Sequence, residues 1–175
     1  TYLRIIIIPF FVFAFFIPGE IGKWSTCGIF IFACLTDYLD GKLARSLDQE
    51  SKLGALLDPI ADKIIVAVAL MLLIHDETIK DLTLFAALII ISREILVSGL
   101  REFLASLQIS LPVSSLSKAK TFIQMFALSV LLSGEPGNDF LYGYGRDLGL
   151  ASLWISAVIT VYTGYKYLRK GLKHV

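Results

Sequence analysis

Six apolar stretches set the limits on what this chain can fold into. They cover residues 3–18, 22–45, 53–75, 80–107, 115–133 and 148–169. Each is close to or above the ~20 residues a helix needs to cross a bilayer, the first being the shortest. Turn chemistry separates them: Pro18-Gly19, His75-Asp76-Glu77, Leu111-Pro112 and the run Gly134-Glu135-Pro136-Gly137-Asn138. Apolar residues make up 56% of the 175 positions and mean hydropathy is +0.74, against about 45–50% apolar content in a soluble domain. No repeat, linker or low-complexity tract divides the sequence. Residues 1–175 therefore read as one all-α integral membrane domain with six transmembrane helices. The chain opens on Thr1 rather than Met, so a trimmed start is expected. Its first apolar run lacks a small-residue cleavage site and reads as a helix, not a signal peptide.

Charge says how these helices are threaded. Six crossings put both termini on one side, with Arg4, Lys42, Arg45, Lys52, Arg101, Lys118, Lys120, Lys166, Arg169, Lys170 and Lys173. The other side holds Lys23, Lys80 and Arg146 among Glu20, Asp76, Glu77, Asp81, Glu135, Asp139 and Asp147. The excess of Lys and Arg assigns the first side, with both termini, to the cytoplasm. There is no basic run with interleaved aromatics, so nucleic acid is excluded as a partner. Cys27 and Cys34 are about 10 Å apart along one helix, too far for a disulfide.

Against this background four carboxylates stand out: Asp37, Asp40, Asp58 and Asp62. An ionised carboxylate near the bilayer centre costs at least ~2.5–3.5 kcal/mol, and four together also repel one another. A pair of divalent cations offsets that cost, because such ions take hard oxygen ligands. Asp37 and Asp40 share one face of span two, and Asp58 and Asp62 one face of span three. Two antiparallel helices bring the pairs together at the cytoplasmic end. Gly41 and Ala44 follow on the Asp37 face, and Gly54 precedes Asp58 by one turn, so a ligand can approach the backbone closely there. Asp48, Glu50, Lys42 and Lys52 read as solvated loop charges. A metal-coupled carrier is the rival reading, but it predicts carboxylates spread over several spans and internal inverted repeats, and neither is evident.

The string D37-Y-L-D40-G41-K-L-A44-R45, followed by G54-A-L-L-D58-P-I-A-D62, resembles the signature of the CDP-alcohol phosphatidyltransferase family, D-x-x-D-G-x-x-A-R-x(8)-G-x(3)-D-x(3)-D. All of its defining positions are matched, and the resemblance extends over essentially the whole chain. It implies the fold of that family and an enzyme that moves a phosphatidyl group from a CDP-linked lipid to an alcohol, releasing CMP. It further implies that Asp37, Asp40 and Asp58 ligate two Mg²⁺ or Mn²⁺ ions. Asp62 is then the base toward the attacking hydroxyl while also touching metal. Asp37, Asp40, Gly41, Ala44, Arg45, Gly54 and Asp58 are implied around the CDP group, in a homodimeric protein.

A second cationic set lies on spans four and five: S92-R93-E94-I-L-V-S-G-L-R101-E102 and S117-K118-A-K120-T121. Arg93 and Arg101 can both face inward, two turns apart. Either Glu94 and Glu102 pair with them in a structural network, or the set receives an anionic acceptor, for which Arg offers a bidentate fork and Lys a point charge. The same string is similar to the bacterial phosphatidylglycerophosphate synthase subfamily, whose acceptor is glycerol 3-phosphate and whose lipid donor is CDP-diacylglycerol. Arg93, Arg101, Lys118 and Lys120 are then candidates for the acceptor phosphate, and the resemblance adds Thr121. Cardiolipin synthases share the aspartate signature but resemble S-R-D in span four. The remaining features read plainly. Phe10, Phe11, Phe13, Phe15, Phe16 and tyrosines 142, 144, 162, 165 and 167 are expected as lipid-facing or interfacial anchors. His75 is expected in a solvated turn, and Gly134–Gly145 as a mobile outer loop.

Overall fold

The structure, a computed structural model, describes residues 2–47, 52–108 and 115–171, with side chains for residues 5–36, 60–61, 63–105, 107–108 and 115–169. The described residues form seven helices and no strand: α1 (Tyr2–Phe15), α2 (Glu20–Leu47), α3 (Lys52–His75), α4 (Thr83–Ser106), α5 (Ser115–Leu132), α6 (Gly134–Phe140) and α7 (Gly145–Gly171). Each expected apolar stretch becomes one helix, with ends shifted by a few residues. The break expected at Leu111-Pro112 lies outside the described residues.

Length and composition qualify two helices to cross a membrane, over Thr83–Ala105 and Gly145–Arg169. Ile5–Phe15 and Lys63–His75 are apolar but shorter. α2 and α5 carry charges within their own length, Asp37 and Asp40 on the one and Lys118 and Lys120 on the other. Six crossings are thus not evident from length and composition alone. The distribution of side chains around α7 is more informative. Ser152, Ser156, Thr160 and Thr163 are buried, while Ile155, Val158 and Val161 are exposed. A helix in water turns its apolar stripe inward. Small and hydroxyl residues at the helix interface with branched aliphatics outside suit hydrocarbon as the surrounding solvent. α4 exposes Phe85, Leu88, Ile95 and Phe103 in the same way.

The core joins all the long helices through Phe11, Phe30, Ile65, Leu70, Leu73, Ile90, Leu128, Leu131 and Leu153. α7 packs mainly on α5 and α4, while α1 covers α2 and α3. Gly149 admits this closeness: a Cβ there would stand 2.7 Å from the Leu131 side chain. One end of the bundle gathers the α1–α2 turn, the α3–α4 turn and α6. At that end Lys23 at the start of α2 bonds Asp76 after α3 at 3.0 Å. The pair sets the start of α2 beside the end of α3, and α1 and α5 each pack on both helices.

Two expectations are corrected. Gly134–Gly145 is not an irregular loop, since residues 134–140 form α6. Gly134 at φ 60° turns the chain out of α5. Asn138 then ties the next helix on, its carbonyl accepting from Gly143 N at 2.8 Å and its Oδ1 from Arg146 N at 3.0 Å. Phe140 finishes the element edge-on to Trp24. The aromatic anchors also divide: Phe10, Phe13 and Phe16 are exposed, but Phe11, Phe15 and Tyr167 are buried. Phe11 stacks against Phe30 in the core, so the run around it is two-faced, not uniformly outward. His75 is exposed as the last residue of α3, before the turn, near the Phe16 ring.

Candidate active site

Helices α2 and α3 carry the four aspartates as expected. Asp37 and Asp40 lie on α2, and Asp58 and Asp62 on α3. Gly41, Ala44 and Arg45 follow on α2, and Gly54 precedes on α3. The side chains of all eight fall outside the described residues, but the backbone fixes their level. Asp37 is fourteen residues along α2 from Lys23, and Asp62 is fourteen residues before Asp76. With Lys23 and Asp76 bonded, the two aspartates stand about 21 Å along the helices from that bridge. Each helix thus carries its aspartate backbone position the same distance along its own axis from the bridge. Among the described residues no group of three or more His, Cys, Asp or Glu is placed to hold a metal ion.

A second register brings α5 to this level. Cys27 Sγ donates to Ser129 O at 3.2 Å, and Cys34 Sγ meets Met125 Sδ at 3.5 Å. α2 and α5 thus run antiparallel. Continuing that register carries Asp37 and Asp40 to the level of the first turns of α5, where Lys118, Lys120 and Thr121 lie.

The cationic set splits into two groups. Arg93 and Lys120 converge inside the bundle on the Glu94 carboxylate. Arg93 Nη1 donates to Glu94 Oε1 at 3.4 Å, and Lys120 Nζ donates to the same oxygen. Arg93 Nη2 also donates to Thr163 Oγ1 at 3.1 Å. Arg101 is exposed, yet its guanidinium and that of Arg93 both face the buried Tyr167 ring, at 5.8 and 5.9 Å from its centre. Lys118 and Thr121 are exposed on α5, and Thr121 Oγ1 donates back to Ser117 O at 3.1 Å. Two residues from Lys120 is about 200° around a helix, so Lys118 faces away from it. The structure brings Arg93, Lys120 and Arg101 together around Glu94 and Tyr167, and does not bring Lys118 and Thr121 to them.

Polar side chains continue the cluster deeper. Gln124, one turn beyond Lys120, is buried with its Oε1 unpartnered, as are Ser156 Oγ, Thr160 Oγ1 and Arg93 Nε. Thr163 escaped the sequence reading, which took Tyr167 only as an anchor. Their signal was present: Ser152, Ser156, Thr160, Thr163 and Tyr167 recur every three or four residues, one hydroxyl stripe on one helical face. Gly164 beside them makes room for the arginine, since a Cβ there would stand 3.0 Å from Arg93 Cγ. The expected ion-pair network and the expected anion site use the same residues. With two cations on one carboxylate among the described residues, and Arg101 near by on the Tyr167 ring, the cluster retains capacity for a further anion.

Comparison with known proteins identifies the family. A sequence profile of CDP-alcohol phosphatidyltransferases matches residues 1–162. A Rickettsia felis protein named CDP-diacylglycerol–glycerol-3-phosphate 3-phosphatidyltransferase is 39% identical over 175 residues, covering 99% of this chain and 93% of its own length. Proteins of the same name from Pseudomonas fluorescens and Haemophilus influenzae are 42% and 40% identical, covering 100% and 97% of this chain and 89% of their own length each. With the family profile matching residues 1–162 and similarity to these relatives running from end to end, the chain belongs to the CDP-alcohol phosphatidyltransferase family.

Proposed function

We propose that this chain transfers the phosphatidyl group of CDP-diacylglycerol to glycerol 3-phosphate, giving phosphatidylglycerophosphate and CMP. The observation that carries both substrates is the full-length similarity to relatives whose names state them. The cationic cluster of Arg93, Arg101 and Lys120 supports the choice of acceptor, because a phosphomonoester needs several positive donors. The protein acts as one domain over residues 1–175 that crosses the membrane six times, with termini and active site at the cytoplasmic end. The Lys and Arg asymmetry supports that orientation. The homodimer rests on the family resemblance alone.

Asp37, Asp40, Asp58 and Asp62 would hold two divalent cations, Mg²⁺ or Mn²⁺. The donor set fits such ions: four hard carboxylates, two on α2 and two on α3. Once bound, they neutralise the diphosphate and stabilise the charge on the departing CMP. The chain's own residues do the rest. Asp62 accepts the proton of the glycerol hydroxyl as its oxygen bonds to the lipid-linked phosphorus, and the bond to the CMP oxygen breaks. Gly41, Ala44 and Gly54 leave backbone bare for the nucleotide, and Arg45 supplies a cation to it. Arg93, Arg101 and Lys120 orient the acceptor phosphate, with Lys118 and Thr121 at the outer edge of its path. Holding both reactants in line supplies most of the acceleration a phosphoryl transfer needs.

The test uses purified protein with CDP-diacylglycerol, glycerol 3-phosphate and Mg²⁺. CMP release should depend on glycerol 3-phosphate, stop with chelator, and fall at least ~100-fold in Asp62→Asn, the scale of a lost general base. CMP release that ignores glycerol 3-phosphate contradicts the assignment, and metal flux without CMP release would mark a carrier.

A further inference from the structure

Of the three side chains joined in the ion pair, Arg93, Lys120 and Glu94, the anion is the outermost. Glu94 Oε1 accepts from both Arg93 and Lys120, yet its side chain is 23% exposed against 13% for Arg93 and 4% for Lys120. The two cations are fixed at the back: Lys120 is buried on α5, and Arg93 is held by Thr163 and Tyr167. The carboxylate closes the front.

The charges do not balance either. Among the described residues Arg93 and Lys120, both cations, share the single Glu94 carboxylate, and Arg101 lies near by on the Tyr167 ring that Arg93 also meets. Arg93 Nε is buried without an acceptor. Buried donors are rarely left unused, and this one lies beside a carboxylate that already serves two other donors. An anion with several oxygens would give this donor the acceptor it lacks among the described residues.

Resting on the glycerol 3-phosphate reading above, we propose that Glu94 is a resident counter-anion. It occupies the phosphate seat while the site is empty and withdraws when the acceptor's phosphomonoester arrives. The physical need is plain: a buried ammonium left without a partner is strongly unfavourable, so the empty enzyme requires an anion at that point. A phosphomonoester dianion has three oxygens to reach Arg93, Lys120 and the unused Nε. A phosphodiester monoanion or a neutral alcohol offers less charge and competes poorly with the carboxylate. Glu94 is thus a specificity-determining residue that raises the threshold an acceptor must meet. A ligand's apparent affinity falls in proportion to the time its seat is open, so removing the occupant should tighten binding.

The experiment measures inhibition by inorganic phosphate, competing with glycerol 3-phosphate, in the CMP-release assay on the full chain. Glu94→Gln keeps the shape and an acceptor oxygen but not the charge. If the seat is open about a tenth of the time, both Ki for phosphate and KM for glycerol 3-phosphate fall about tenfold. KM for CDP-diacylglycerol should not follow, which separates this from a general structural change. Glu94→Asp keeps the charge but spans both cations less well, so Ki should fall about threefold; it decides the question if the glutamine variant does not fold. An unchanged or raised Ki in the variant read overturns the proposal. Wild-type protein that releases no CMP with glycerol 3-phosphate fails the substrate reading instead.

Discussion

Replacing Tyr167 by Leu removes the ring that Arg93 and Arg101 share while keeping an apolar side chain on α7. The ring is buried, 7% exposed, and the two guanidinium carbons lie 5.9 and 5.8 Å from its centre. Those distances sit at the outer limit of a favourable cation–π contact, so each is worth ~0.5–1 kcal/mol. Together they restrain the arginines by about 1–2 kcal/mol, which corresponds to roughly 5–30-fold in an equilibrium constant. If the arginines receive the acceptor phosphate, that factor should fall on KM for glycerol 3-phosphate. Tyr167→Phe keeps the ring and should stay within about threefold of wild type. The assay is CMP release with one substrate varied at a time in detergent micelles. The reasoning is refuted if Tyr167→Leu leaves the acceptor KM unchanged, or raises both substrates' KM in step.

Three further substitutions probe neighbouring contacts. Lys120→Met deletes the buried ammonium but leaves Glu94 its Arg93 partner; acceptor KM should rise at least ~10-fold, the loss of one charge-assisted bond, as read by the same kinetics. Thr163→Val leaves Arg93 Nη2 without its acceptor and should raise acceptor KM about 3–10-fold, with Thr163→Ser restoring it. At the opposite end, Lys23→Met breaks the partly buried pair with Asp76. A loss near ~1 kcal/mol lowers the melting midpoint by about 2–4 °C, and both KM values should stay within twofold.

How much of this was legible without coordinates depended on the kind of signal. Long apolar runs punctuated by Pro, Gly and charge located α1 to α5 and α7 to within a few residues, because hydrophobic content and turn chemistry act locally. The aspartate signature was legible because fixed spacing on two helices is a local property as well. What escaped depends on how helices meet. Tyr167 reads as an interfacial anchor until α4 sets two arginines against its ring. Phe11 and Phe15 read like Phe10 and Phe13 until α2 and α3 cover one side of α1. The run from Gly134 looks like pure loop chemistry, yet Asn138 and Phe140 find partners on α7 and α2 that let a short helix form. The hydroxyl stripe on α7 was readable by spacing, but its role appears only beside Arg93. For the aspartates, the structure adds their places on α2 and α3, whose opposite ends meet at Lys23 and Asp76.

The most direct test offers the purified protein CDP-diacylglycerol and Mg²⁺ with glycerol 3-phosphate, serine, inositol and phosphatidylglycerol at equal concentration, and weighs the lipid products by mass spectrometry. The account predicts phosphatidylglycerophosphate as the dominant product, formed one-for-one with CMP and absent in Asp58→Asn. Cardiolipin or phosphatidylserine as the main product, or undiminished synthesis by the Asp58→Asn protein, would contradict it.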